Sequence, residues 1–363
     1  MGIYPGSPVR RLGAGANHLT PQAFQPLVTI SRGGEIESYH SVAAVMVAGD
    51  GRVLHSLGDD SVQVYCRSAA KPFQALPLVE SGAADRYSLA TEELALVCAS
   101  HGGEARHLEV ARRILSHQGF GPDDLQCGIH APMTAAAARE LIVRREEPTT
   151  LHNNCSGKHG GMLLLTHHLG GDPLTYLEPG SPAQRAILAA LARVSGVESG
   201  KIGQAVDGCS APTYRLPLTA LARAYARLAT ALADPEIDPA LARIGQAMTR
   251  HPFLVAGEGR LDTLLMEAAP GKIIAKLGAE GVYAMAVTSG REPVGIALKI
   301  ADGDSDRART AVVLALLRRL GLLPESALED LDQHFPREIY NRRKRVVGHI
   351  KVNLPDNWGI GRK

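Results

Sequence analysis

At 363 residues the chain is long enough to bury a large core, and length alone would allow two domains. Its 39 basic and 37 acidic residues leave a net charge of +2 with no block of one sign in the body of the chain, which argues against nucleic acid or a membrane surface as the main partner. Five cysteines, an odd number, together with no apolar run of bilayer length, point to a reducing cytoplasmic setting rather than a disulfide framework or a membrane span.

Residues 1–22 carry Arg10 and Arg11 but no apolar stretch after them, and read as a flexible leader. Leu27–Arg32, Ser41–Ala48 and Val53–Ser56 alternate with the turn signals Gly33-Gly34 and Gly49-Asp50-Gly51, an antiparallel hairpin pattern. A helix is expected to open near Ser68 and to stop at Gly82, with Pro72 tolerated only in its first turn. The middle of the chain reads as helices over Thr91–Ala99, Glu104–His117, Thr134–Arg145, Gly161–Leu169, Pro182–Val194, Leu218–Ala233 and Pro239–Arg250. Strands follow over Lys272–Leu277, Val282–Thr288 and Val294–Ile300, then a helix over Ala308–Leu320.

Strands at both ends and helices between predict an α/β (α+β) fold: an antiparallel sheet assembled from residues 27–60 and 272–320, with helices on its faces and a helical middle over 85–260. Residues 23–340 read as one domain. Residues 341–363 form a basic tail headed by Arg342-Arg343-Lys344-Arg345, a run with no interleaved aromatic residues and therefore a solvated or interface-facing one.

Chemistry concentrates in a few short stretches. Ser68 and Lys71 are spaced one helical turn apart, so an amine made neutral by burial would lie within reach of a hydroxyl it can activate. Serine acyl-transferases of the penicillin-recognising kind pair S-x-x-K with a second serine and a late Lys-x-Gly strand, and Ser100-His101-Gly102 and Lys276-Leu277-Gly278 stand in that order here. Cys155 and Cys209 lie in polar, Gly-rich stretches suited to thiolate ligands of zinc, and on chemistry alone His159 is the preferred third ligand. Cys66, Cys98 and Cys127 sit in apolar surroundings and read as core, while His152, His167 and His168 read as ordinary hydrogen-bonded side chains.

Five stretches in order, Arg67-Ser68-Ala69-Ala70-Lys71-Pro72, Ala99 to Glu104, Asn153 to His159, Asp207 to Ser210 and Lys276 to Gly281, resemble the rhizobial-type, zinc-containing L-asparaginases over most of the chain. That resemblance implies a fold like the serine beta-lactamases and glutaminases, a homodimer, and hydrolysis of L-asparagine to L-aspartate and ammonia through an acyl-enzyme. It implies Ser68, Lys71, Ser100 and Lys276 as the catalytic set, arranged as two Ser/Lys couples, Ser68 with Lys71 and Ser100 with Lys276. It also implies Zn2+ on Cys155, Lys158 and Cys209 in place of His159, which with Asp207 then either faces the substrate or orients the ligands. On their own chemistry Arg67 reads as a binder of the substrate carboxylate or half of a buried ion pair, and Glu280 as an acceptor of the substrate ammonium or an orienting partner of Lys276. A glutaminase, a penicillin-recognising hydrolase and a non-enzymatic zinc-stabilised binding protein are the competing expectations. Ala279-Glu280 after Gly278, where penicillin recognition needs a hydroxyl, weighs against the second.

Overall fold

The computed structural model describes residues 19–356 and 358. The leader expected over 1–22 therefore lies almost wholly outside the described residues.

Eleven strands are described: β1 (Gln25–Arg32), β2 (Glu35–Ala48), β3 (Val53–Leu57), β4 (Gln63–Tyr65), β5 (Gly203–Val206), β6 (Pro212–Pro217), β7 (Ile273–Leu277), β8 (Val282–Val287), β9 (Val294–Ile300), β10 (Glu338–Tyr340) and β11 (Val346–Val352). Eight of them form one antiparallel sheet in the order β10-β11-β1-β2-β9-β8-β7, with β3 also on β2. The long β2 joins the two ends of the chain. Its first half pairs with β1, Thr29 opposite Tyr39, and its second half with β9, Val45 opposite Ala297. The sheet assembled from both termini is thus as expected.

β8 and β9 are buried along their whole length, which explains why their sequences run apolar without alternation. The alanine-rich helix Leu218–Ala233 lies against β9, and its small side chains allow a close approach. Gly295 in β9 makes that approach possible, since a Cβ there would stand 2.0 Å from the Ala222 carbonyl oxygen.

Three features depart from the expectations. Residues 341–363 contain β11, which pairs with β1 (Thr29 opposite Lys351), and the basic run Arg342–Arg345 belongs to the turn between β10 and β11. The helix expected from Gly161 begins five residues earlier and runs Ser156–His168, because Gly157 is there for contact and not for a loop. A Cβ at Gly157 would meet the Leu96 carbonyl oxygen at 2.4 Å, so the glycine lets this helix press against helix Thr91–Val97. The third is a second small sheet, β4-β6-β5, that positions the site.

Candidate active site

The small sheet brings distant loops together. β4 runs into Arg67-Ser68, and the Cys66 amide donates to the Tyr214 carbonyl of β6 at 2.8 Å. The turn from β5 to β6 carries Asp207-Gly208-Cys209-Ser210, held by Ser210 at φ 68° and by the Asp207 amide on the Ala211 carbonyl at 2.9 Å. Arg67 is also left-handed at φ 48°, and residues Arg67–Ala70 form a 3₁₀ turn before helix Lys71–Glu80, with Pro72 in its first turn. Tyr225 of helix Leu218–Ala233 pins this turn from below, its hydroxyl donating to the Ala69 carbonyl at 2.8 Å and its ring meeting Phe73 edge-on.

A cavity of about 470 Å³ opens at this junction. Ser68 lines it, together with Arg67, Asp207, Cys155 and Cys209. Behind Ser68, Lys71 is fully buried and donates to the Ala99 carbonyl at 2.5 Å, with its Nζ also 2.9 Å from Ser100 Oγ. Lys276 is fully buried too, 3.4 Å from the equally buried Asp262, whose carboxylate also accepts the Leu277 amide at 2.9 Å. The couples thus differ from those expected. Ser100 is held by Lys71 and Lys276 by Asp262, and no hydrogen bond links Lys71 to Ser68.

Burial lowers the Lys276 pKa to about 8, with the Lys71 charge adding to the effect and Asp262 opposing it. Burial also works against ionised Asp262, but Lys276 and the Leu277 amide hold its pKa below the ordinary carboxylate value. Asp262, near the start of helix Leu261–Ala268, escapes sequence reasoning because its partner is defined only by tertiary packing. The one signal is a carboxylate following Gly257-Glu258-Gly259 at a helix start.

On the opposite wall Lys158, in the first turn of its buried helix, donates to Cys209 Sγ at 3.1 Å. A hydrogen bond from Cys209, helped by Lys71 and Lys158, holds the Cys155 thiol well below its ordinary pKa despite burial, and Cys209 is pushed up as the proton-bearing partner. Burial would lower the Lys158 pKa, but the two sulfurs raise it on balance. Arg67 does not offer a free charge to the cavity: its Nε and Nη2 both lie 2.8 Å from Asp207 Oδ1.

Two expected substrate-facing groups stand elsewhere. His159 is fully buried, with Nδ1 accepting from the Tyr176 hydroxyl at 2.6 Å, and burial drives its pKa well down; adjacent helix positions point apart, so it cannot share the cavity wall with Lys158. Glu280 lines a neighbouring cavity of about 440 Å³, beyond the Arg67–Asp207 pair. Cys66, Cys98 and Cys127 are buried, and desolvation raises each thiol to about 12, as suits inert core residues. His152, His167 and His168 have the hydrogen-bond partners expected of them, the Thr149 amide, the Tyr87 hydroxyl and the Ser81 carbonyl.

The profile of the family described as L-asparaginase II matches residues 28–352. The chain belongs to the L-asparaginase II family. A search of curated proteins returns no match. Among solved structures, a crystal structure of Mglu in its native form is 16% identical and covers 73% of this chain and 59% of its own, with a TM-score of 0.38. Mglu in its native form in the presence of 4.3 M NaCl is 20% identical and covers 77% of this chain and 60% of its own, with a TM-score of 0.34. The L-asparaginase II chain thus spans less than two thirds of either.

Among the described residues no group of three or more His, Cys, Asp or Glu side chains could hold a metal ion. A metal on this wall therefore requires Lys158 as a donor. Two sulfurs and an amine in mutual contact, with both cysteines lining the cavity, are chemically suited to zinc once the amine and thiols lose their protons. Among the described residues no helix is long and apolar enough to cross a membrane.

Proposed function

We propose that this protein is an L-asparaginase that works through a serine acyl-enzyme. Ser68, the serine on the cavity wall, attacks the side-chain amide carbon of L-asparagine. Its proton passes to the Lys71 amine, with Ser100 as the relay that Lys71 already holds at 2.9 Å. In its unprotonated form that amine, which donates to the Ala99 carbonyl, keeps a lone pair for this task. The tetrahedral intermediate collapses by breaking the C–N bond. Lys276, with a pKa of about 8, protonates the departing nitrogen, and ammonia leaves. Water then attacks the ester carbonyl and gives up a proton to Lys276, Lys71 returns its proton to the Ser68 oxygen as the ester C–O bond breaks, and L-aspartate is released. Asp262 keeps Lys276 in place, and the Arg67–Asp207 pair shapes the wall beside Ser68.

The observation that carries this reading is the contact between two buried groups, the Lys71 amine and the Ser100 hydroxyl, behind a serine that lines the cavity of an L-asparaginase II family chain. Ammonia release from L-asparagine and L-glutamine, measured beside ring opening of a beta-lactam, tests it. We expect L-asparagine to be turned over, and Ser68→Ala to lower the rate by about three orders of magnitude or more with the fold retained. Turnover of the beta-lactam alone defeats the proposal.

Zn2+ is assigned to Cys155, Lys158 and Cys209. Bound there, it would supply a Lewis-acidic positive charge on the cavity wall. Metal content measured by mass spectrometry should fall in Cys155→Ala and Cys209→Ala, and undiminished zinc in both rejects the assignment. The homodimer implied by the resemblance is open to light scattering.

A further inference from the structure

Three guanidinium groups face the cavity that holds Ser68: Arg67, Arg260 and Arg309. Their surroundings differ. Arg67 is neutralised by Asp207. Among the described residues Arg260 and Arg309 make no ion pair, although Asp306 lines the same cavity and is itself unpaired. Arg309 is held in place without being neutralised. Its Nη1 donates to Ser305 Oγ at 3.2 Å and, more weakly, to the Gly278 carbonyl at 3.4 Å, and its guanidinium lies 5.8 Å from the centre of the Tyr283 ring. Its Nε is buried with no acceptor. Among the described residues the one hydrogen bond of the Arg260 side chain is to the Met133 sulfur, at 4.0 Å.

A fixed guanidinium with an unanswered buried N–H is a costly arrangement unless an anion completes it. Arg309 and Arg260, both lining the cavity without an ion pair, match a carboxylate, which accepts planar, charge-assisted hydrogen bonds from arginine. A lone carboxylate on the same turn, Asp306, matches an ammonium. We infer that Arg309 and Arg260 bind the α-carboxylate of the substrate and that Asp306 receives its α-ammonium, so that the turn over residues 305–309 and Arg260 select a free amino acid. The inference rests on the amidohydrolase reading for its substrate but on independent residues for its geometry. It replaces the role expected of Arg67, whose charge is already taken, and that of Glu280, which lines a different cavity.

The test uses the full chain, with L-aspartate as the calorimetric probe and L-asparagine and L-asparaginamide as substrates. Arg309→Gln and Arg260→Gln should each weaken L-aspartate about tenfold or more, the loss typical of a charge-assisted hydrogen bond. KM for L-asparagine should rise by a similar factor while kcat changes far less, and the preference for L-asparagine over L-asparaginamide should shrink. Arg309→Lys, which keeps the charge, should recover part of the affinity. Asp306→Asn should weaken L-aspartate and leave binding of N-acetyl-L-aspartate nearly unchanged. The inference is overturned if both Arg→Gln variants melt like the wild type yet bind L-aspartate as well as it does, or if the wild type binds none. Arginine-dependent binding of L-aspartate by a wild type that releases no ammonia upholds the subsite and rejects the hydrolase reading instead.

Discussion

Two walls of the cavity each bury a lysine, and burial has opposite outcomes on them. Lys276 is completely enclosed, faces one carboxylate at 3.4 Å and feels the charge of Lys71, and its pKa falls to about 8. Lys158 is enclosed just as fully, but it feels two sulfurs, and its pKa rises. Desolvation is the largest influence on both amines, so the neighbours decide the sign. The difference divides the labour: one wall keeps an amine able to exchange a proton near neutrality, and the other keeps a cation.

The comparison is most sharply broken by removing the carboxylate. Asp262→Ala takes away the carboxylate in contact with Lys276 and the acceptor of the Leu277 amide. Stripping one partner from a buried ion pair should cost about 3–5 kcal/mol, read as a lower urea midpoint at pH 7 with an unchanged slope. A loss within the range of a surface substitution would mean that Lys276 is already neutral.

What the sequence discloses about this region follows from the range of the forces involved. Leu218–Ala233 and Pro239–Arg250 have the expected bounds because alanine and leucine at helical spacing determine a helix locally. Gly157 and Gly160 misled because close contact between helices and a loop ask for the same residue. β5 and β6 are short and partly polar, so no pattern announces them, although they carry Asp207 and Cys209 to Arg67 and Lys158. Ser68 and Lys71 were legible as a motif, but the change from 3₁₀ turn to α-helix between them, and with it the Lys71–Ser100 contact, is set by the Tyr225 anchor and the fold. The free state of Arg260 and Arg309 is likewise invisible until Asp207 is seen to occupy Arg67.

Alkaline titration sharpens the contrast. Lys276 has a pKa of about 8 when folded against an ordinary value of 10.5, so between these the unfolded chain binds more protons at this residue than the native one. Its contribution to stability therefore rises with pH across that window, and below it the full cost of burying the charge is present. The gain is about 3 kcal/mol at most, from roughly 1.4 kcal/mol per pH unit. Lys276→Met should remove the rise, seen by subtracting its stability profile from that of the wild type over the same window. Parallel profiles would show that the amine is not depressed.

A smaller effect is expected behind the cysteine wall. His159 lies next to Lys158 in sequence but takes its hydrogen bond from Tyr176, whose hydroxyl also accepts the Gln126 amide at 2.8 Å. Tyr176→Phe removes both contacts and leaves the ring packed, so the loss should be about 1–3 kcal/mol, the cost of leaving buried polar groups unpaired. Because His159 does not line the cavity, KM for L-asparagine should stay close to the wild-type value while the melting temperature falls. A rise in KM as large as that expected for Arg309→Gln would instead place His159 within reach of the substrate and restore the role the sequence suggested.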